Sequence, residues 1–313
     1  MAIRPADHGI FASALAADVA AGYFGGGAWP YTAAVDRFQF SNDSRTTLGT
    51  GLSSARYGLG GMGSTVAGYF GGGSTGSDVD TVDRFLFADD SRTTLGTGLS
   101  GARSRLAAMA STVAGYFGGG TGGPISAPNW GRVTTVDRFL FSDDSRTTLG
   151  TGLSFAPYYP GAMASTVAGY FSGGDAAAGK VDAVDRFLFS NDSRTTLSAT
   201  LSAGTIDMAG MASTVAGYFS GGQTSASSFV TTVDRFLFSN DSRTTLGTGL
   251  SVARSRLGAM ASAEAGYVGG GNSASGYLTT VDRFLFADDS RTTLGTGLSV
   301  GVYYLAGMAP IPV

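Results

Sequence analysis

The chain carries a short alternation of apolar and polar residues that recurs six times. In the segment Thr135–Phe141, apolar side chains would lie on both faces of an extended strand. The phrase Val-Asp-Arg-Phe within this segment recurs every 47 to 54 residues, beginning at Val35, Val82, Val136, Val184, Val233 and Val281. A period of that length is typical of stacked supersecondary units. The pattern therefore predicts six equivalent β units.

Each unit is predicted to contain four strands separated by turn residues. In one copy these are Arg105–Met109, Val113–Phe117, Thr135–Phe141 and Ser145–Leu149. A sheet with apolar side chains on both faces must be covered by another sheet on each face. Radial packing of the sheets around an axis gives every sheet two such neighbours. We predict an all-β fold, a six-bladed β-propeller of four-stranded antiparallel blades. An open solenoid is the alternative, but the terminal copies lack the polar character of capping repeats.

The last segment of the chain predicts how the ring closes. Tyr303–Pro310 resembles the first strand of the other units, yet no second strand follows it. We expect it to supply the first strand of the first blade, beside Ala21–Phe24, so that the propeller is closed by the C-terminal strand. The expected domains are an N-terminal arm at 1–19 and a propeller at 20–313, with blades at about 20–62, 63–109, 110–163, 164–211, 212–260 and 261–313. The arm either packs on the propeller or docks it onto an assembly.

Two local motifs carry resemblances to known propeller families. The glycine run Gly118–Gly120 and the Asp-Arg-Phe strand after it resemble kelch repeats, although leucine, as at Leu149, stands where kelch repeats have tryptophan. The turn containing Ser41, Asp43 and Thr47 resembles the Asp-box of sialidase-type propellers, which is a structural turn. The repeats also resemble those of bacteriophage virion and tail proteins, including cyanophage ones. That resemblance implies a virion or extracellular protein.

Composition excludes several classes of function. Charged residues are 14% of the chain, the net charge is −3 and Lys180 is the sole lysine, so no basic groove for nucleic acid is expected. No apolar run is long enough for a membrane helix, and no signal peptide is convincing. Cysteine is absent and His8 is the single histidine. We therefore predict no catalytic residues, no metal, no cofactor and no enzyme activity.

Residues present in every unit are predicted to be structural. The six arginines of Val-Asp-Arg-Phe should pair with carboxylates or cap carbonyls between blades. The acidic turns, such as Asn42-Asp43, should close on their own backbone, with calcium binding as the alternative. The once-per-unit methionines, such as Met109, should pack in the core rather than line a channel.

The candidate binding face lies at the end of the propeller where the loops vary. Loops joining the second and third strands, and loops joining consecutive blades, share this end and carry the aromatic and arginine residues typical of interfaces. The alternative is that these side chains are ordinary solvent-exposed loop residues with no role in binding. Arg-Ser-Arg and Tyr-Tyr recur on opposite blades, which indicates a pseudo-twofold surface. The candidate residues are Trp29, Tyr31, Tyr57, Arg103, Arg105, Trp130, Tyr158, Tyr159, Arg254, Arg256, Tyr303 and Tyr304.

These features together predict a non-enzymatic binding or structural module. The resemblance of the repeats to phage proteins implies the role of a phage virion component, namely a tail fibre, baseplate or capsid appendage for host-surface attachment or particle assembly. Its expected partners are other virion or surface-assembly proteins and a host-surface glycan. A secreted lectin-like propeller is the alternative. An enzyme would be indicated if the unmatched Asp207 and Glu264 met in a deep pocket with a metal or an extra arginine.

Overall fold

The computed structural model describes residues 21–122, 131–225 and 228–311, and these residues form strands joined by turns. The strands are β1 Ala21–Gly25, β2 Val35–Gln39, β3 Ser44–Thr47, β4 Gly60–Gly63, β5 Ala67–Gly71, β6 Val82–Leu86, β7 Arg92–Thr94, β8 Ala107–Ala110, β9 Ala114–Gly118, β10 Val136–Leu140, β11 Arg146–Thr148, β12 Gly161–Ala164, β13 Ala168–Ser172, β14 Asp175–Ala176, β15 Gly179–Lys180, β16 Val184–Leu188, β17 Arg194–Thr196, β18 Ala209–Ala212, β19 Ala216–Ser220, β20 Gln223–Ser225, β21 Ser228–Phe229, β22 Val233–Leu237, β23 Arg243–Thr245, β24 Arg254–Ser255, β25 Gly258–Ala261, β26 Ala265–Gly269, β27 Asn272–Ser273, β28 Gly276–Tyr277, β29 Val281–Leu285, β30 Arg291–Thr293 and β31 Ala306–Met308.

Within the described residues, 24 of these strands build six four-stranded antiparallel sheets, and the other seven form two two-stranded sheets and one three-stranded sheet. The first strands of the sheets contact one another in the cyclic order β31, β4, β8, β12, β18 and β25, so they surround a central axis. In the first sheet, β31 pairs with β1, and Tyr23 lies opposite Met308. The predicted fold class and the predicted closure by the C-terminal strand are therefore confirmed.

The sheets differ from the expected units in their limits. The segment β4 pairs with β5, yet the expected boundary at 62/63 assigns most of it to the preceding blade. Each of the other five blades therefore starts at its axial strand, because that strand hydrogen-bonds to the strand following it in the sequence, whereas the axial strand of the first blade is β31. The four strands expected in one copy match β8, β9, β10 and β11 to within two residues. The arm expected at 1–19 lies outside the described residues.

Methionine and glycine interlock between neighbouring blades. Met109 is buried and fills the space beside Gly169, where a Cβ would collide with the methionine sulfur. The same contact recurs around the ring in the pairs Met62–Gly115, Met109–Gly169, Met163–Gly217, Met211–Gly266, Met260–Gly22 and Met308–Gly68. Because the methionines are buried between blades, the prediction of core packing is confirmed. Small residues such as Ala108 and Gly210 line the axis, and the six methionines also border its cavity at the end that carries the turns with Ser111 and Ser165.

A second contact between blades joins a tyrosine and an arginine to one aspartate. Tyr69 donates a hydrogen bond to Asp144 Oδ1 (2.9 Å), and Arg84 pairs with Asp144 Oδ2. Asp144 is the last residue of the acidic turn and has a φ of +56°. The predicted arginine pairs are confirmed at Arg37–Asp90, Arg84–Asp144, Arg138–Asp192, Arg186–Asp241, Arg235–Asp289 and Arg283–Asp43.

The two residues of each acidic turn therefore have different roles. Asp143 Oδ1 accepts the backbone N–H of Ser145 (3.0 Å), which is the local closure expected from the sequence. Asp144 instead reaches into the neighbouring blade. The turn thus closes on itself with one side chain and holds two blades together with the other.

We expect Asp144→Asn to destabilise the protein by about 1 to 2 kcal/mol, because a half-buried arginine loses its counterion while the left-handed turn remains acceptable to asparagine. The control is Asp143→Asn, since asparagine occupies the equivalent position at Asn42, Asn191 and Asn240. Urea denaturation monitored by fluorescence measures the stability of both variants. Equal midpoints for the two variants would contradict this role of Asp144.

Candidate functional site

The connections between blades meet at the axis in a ring of six residues. One residue from each connection lies shortly before an axial strand, and each has a φ between +59° and +65°. We call this set the axial ring: Gly58, Arg105, Tyr159, Asp207, Arg256 and Tyr304. A positive φ is unfavourable for all of them except glycine, so their conformation must be held by surrounding contacts.

A closed circle of backbone hydrogen bonds holds the axial ring. Each N–H donates to the carbonyl of the preceding member, for example from Arg105 to Gly58 (2.6 Å) and from Tyr304 to Arg256 (2.7 Å). Gly58 donates to Tyr304 (2.9 Å) and completes the circle. Six side-chain positions that are far apart in the sequence are thereby fixed around one point.

The side chains of the axial ring contact one another. Tyr159 and Tyr304, from opposite blades, stack with their centroids 4.8 Å apart and their planes at 9°. Arg105 Nε donates to the Tyr159 hydroxyl (2.6 Å). The guanidinium of Arg256 lies 5.0 Å from the centroid of Tyr304. The expected pseudo-twofold pattern is present in these tyrosines and arginines, and the opposed pair of Gly58 and Asp207 breaks it.

Asp207 is a buried carboxylate with incomplete pairing. It is 5% exposed, and among the described residues neither of its oxygens accepts a hydrogen bond. Its nearest cation is Arg256, whose Nε lies 3.5 Å from Oδ2. Burial raises the pKa of Asp207 to about 7, against the opposing attraction of Arg256, Lys180 and Arg105. A buried polar group without partners is costly, and such groups concentrate at functional sites.

A cavity of about 800 Å³ opens above the axial ring, and we call it the axial basin. Members of the ring form part of its lining, and Arg132 and Tyr158 extend it toward the loop of the fourth blade. The guanidinium of Arg132 lies 4.4 Å from the centroid of Tyr158 and pairs with Asp175 (3.1 Å). The basin therefore combines aromatic surface with fixed charges.

Arg105 differs from the other arginines of the described chain. Every other described arginine has a carboxylate oxygen within 4.0 Å, whereas Arg105 has none. Its contacts are the Tyr159 hydroxyl and Thr121 Oγ1 (3.2 Å). The basin thus contains a half-buried guanidinium that has no carboxylate oxygen within 4.0 Å among the described residues.

The expected binding-face residues divide into several groups. A row of tyrosine rings in contact runs from the exposed Tyr31 to Tyr304 in the axial ring. The ring centroid of Tyr57 lies 5.0 Å from that of Tyr31 and 5.9 Å from that of Tyr304. Trp29 and Tyr31 are exposed, whereas Tyr303 is buried beside Tyr304. The structure brings together Tyr57, Arg105, Tyr158, Tyr159, Arg256 and Tyr304 around the ring. Trp130 lies outside the described residues.

Two of the expected surface arginines are in the interior, which corrects their assignment to the binding face. Arg103 and Arg254 pair with Asp137 (3.0 Å) and Asp282 (3.1 Å), with side-chain exposures of 3% and 0%. Arg254 also donates to the carbonyl of Val268. These arginines neutralise buried aspartates of the following sheet, so they cannot reach a ligand. In Arg-Ser-Arg only the second arginine faces the basin.

Several residues near the basin were missed by sequence reasoning. Lys180, Arg132 and Thr121 come from loops that differ in every blade, so no repeat pattern points to them. Asp207 can be found from the sequence, because no other unit has an acidic residue at the equivalent position. Glu264 follows β25 at the opposite end of the blade, so the two unmatched carboxylates do not converge.

Two further properties bear on the class of site. Within the described ranges, no group of three or more histidine, cysteine, aspartate or glutamate side chains could hold a metal ion. No helix in the described part of the chain is long and apolar enough to cross a membrane.

The six-sheet ring with its axial basin defines a β-propeller. Among solved structures, the chain is similar to the kelch-repeat β-propeller protein YjhT, with a TM-score of 0.70 and 14% sequence identity over 84% of this chain and 91% of that chain. No family model matches the chain, and no curated protein matches it. The similarity to YjhT establishes the propeller fold.

Proposed function

We propose that this protein is a non-enzymatic recognition module that binds a host-surface glycan in the axial basin. The observation that carries the proposal is the axial ring, where nearly identical blades present different side chains at one equivalent position. Packing alone would favour one residue repeated six times, as it does for the methionines. Sequence differences concentrated around a cavity are typical of recognition on a rigid scaffold.

The chemistry of the axial basin suits a sugar. A sugar ring has apolar C–H faces and polar hydroxyl groups, so it needs aromatic surface and hydrogen-bonding groups together. The tyrosines provide the first, and Arg105, Arg256 and Asp207 provide the second. Their backbone is fixed by the axial ring, which reduces the entropy lost on binding.

We further propose that the protein belongs to a virion, as a tail fibre, baseplate or capsid appendage. This proposal rests on the resemblance of its repeats to those of phage virion proteins. Many copies on one particle would convert weak glycan contacts into firm attachment. Mass spectrometry of purified virions tests whether the protein is one of their components. Glycan binding by a protein that is absent from the particles would instead identify a secreted lectin.

We expect wild-type protein to bind a subset of glycans on an array and Tyr159→Gly to lose at least tenfold in affinity. Glycine keeps the left-handed backbone, as Gly58 does in the same ring, and only the aromatic surface is removed. The control is Val167→Ser at the opposite end of the propeller, where the side chain is exposed.

Thermal melts of both variants check that the propeller remains folded. Absence of glycan binding by the wild-type protein, or equal losses in both variants, would refute the basin as a glycan site. Conversion of a bound glycan that Asp207→Asn abolishes would instead reveal an enzyme.

A further inference from the structure

Given the proposed glycan binding, we infer that the ligand of the axial basin is an acidic sugar, with its anionic group on Arg105 and a hydroxyl group on Asp207. The two ends of the ligand are assigned from two features of the basin. Among the described residues, Arg105 has no carboxylate oxygen within 4.0 Å, and the buried oxygens of Asp207 accept no hydrogen bond.

Arg105 provides the anion site. Its guanidinium is held by two neutral oxygens, those of the Tyr159 hydroxyl and Thr121 Oγ1, and neither offsets its charge. These contacts use Nε and Nη1, which leaves the Nη2 donors without a partner among the described residues. Asp78 also lines the basin, but it forms no ion pair with Arg105. A carboxylate or sulfate ester would supply the missing charge through strong charge-assisted hydrogen bonds.

Asp207 provides the hydroxyl site. Its oxygens are acceptors at the wall of the basin, and no described residue donates a hydrogen bond to them. The ammonium nitrogen of Lys180 is buried and likewise has no hydrogen-bond partner among the described residues. A ligand hydroxyl can donate a hydrogen bond to the ionised carboxylate and accept one from the protonated carboxyl group, so it suits either form of Asp207. The arrangement therefore favours a hydroxyl group of the ligand at this end of the basin.

The tyrosines connect these two sites. Tyr159 accepts a hydrogen bond from Arg105, and its partner Tyr304 lies under Arg256, the residue that pairs with Asp207. An apolar wall thus runs between the anion site and the hydroxyl site. An acidic sugar is a compact group that presents an acid, an apolar face and hydroxyl groups together.

The inference is tested with matched pairs of probes, glucuronic acid against glucose and galacturonic acid against galactose, each displayed as the terminal residue of a glycan. We expect wild-type protein to bind the acidic members at least tenfold more tightly, and this preference to weaken as salt is raised. Arg105→Gly should abolish the preference while keeping the backbone of the ring. Arg105→Lys should retain part of it, because the charge remains.

The control variant is Arg243→Gln, which removes an arginine on an outer strand that pairs with Asp234. It should bind as the wild-type protein does. Equal binding of acidic and neutral members, unchanged in Arg105→Gly, would overturn the acidic-sugar assignment and leave glycan binding intact. Displacement of the acidic probes by sulfate at similar concentration would overturn it as well, because the site would then recognise an anion without its sugar. Failure of every glycan to bind would refute the proposed function itself.

Discussion

A chain that ends at Ser299 is expected to lose the cooperative unfolding transition of the full-length protein. The truncation removes β31 and the buried side chains of Val302, Leu305 and Met308. Burial of each such side chain contributes roughly 1.5 to 3 kcal/mol, so their loss approaches the whole stability of a typical domain. It also exposes the edge of β1 and removes Tyr304, which opens the axial ring.

Differential scanning calorimetry measures the transition, and complementation provides the control. A synthetic peptide spanning 300–311 should restore the transition when added to the truncated chain, because it can pair with β1. The same peptide with Met308→Asp should not restore it, since a charge would be buried beside Gly68. A truncated chain that melts at the wild-type temperature would show that the C-terminal strand does not close the ring.

Asp207→Asn is expected to stabilise the protein at pH 8 and to leave its stability nearly unchanged at pH 4. The pKa of Asp207 is raised from 3.8 to about 7 in the folded state, so folding disfavours the charged form. Below pH 3.8 the protonated form predominates in both states, so the penalty is small. Between pH 4 and 7 the unfolded state gains stability by ionising, which lowers the stability of the wild-type protein by about 4 kcal/mol. Asparagine cannot ionise, so it removes this loss.

Urea denaturation at several pH values from 4 to 8 measures the free energy of unfolding of the variant and of the wild-type protein, and the effect is the difference between the two. This difference should increase with pH and level off above about 7. The groups that face Asp207 are Arg256, Lys180, Arg105, Tyr159 and Tyr304. Asp288→Asn is the control, because Asp288 is exposed and closes only its own turn. A flat difference for Asp207→Asn would show that Arg256 compensates the buried charge.

The burial of three arginines cannot be recognised from the sequence of a single repeat. Arg56, Arg103 and Arg254 occupy one equivalent position, whose other members are Pro157, Thr205 and Val302. Each of these arginines pairs with an aspartate of the following sheet. The sequence marks them as variable and charged, which indicates a surface. Only the contact between blades shows that they are in the interior.

The axial ring at the candidate site cannot be recognised from a single repeat either. Its members are about fifty residues apart and differ in type, so no motif joins them. Their positions depend on the left-handed backbone of each connection and on hydrogen bonds that exist only after the ring closes. Sequence reasoning identified Arg105, Tyr159, Arg256 and Tyr304 as candidates, but it could not place them around one point with Asp207.

The number of blades, their strands and the closure could be predicted from the sequence, because they follow from a period, an alternation and an unpaired last strand. The sequence also predicted that the six Val-Asp-Arg-Phe arginines contact carboxylates or carbonyls between blades, since a charge in an apolar strand needs a partner, and the structure shows carboxylates. Which variable residues face the basin and which are buried follows from the contacts between blades. That choice depends on distances between blades, and no local pattern of residues records those distances.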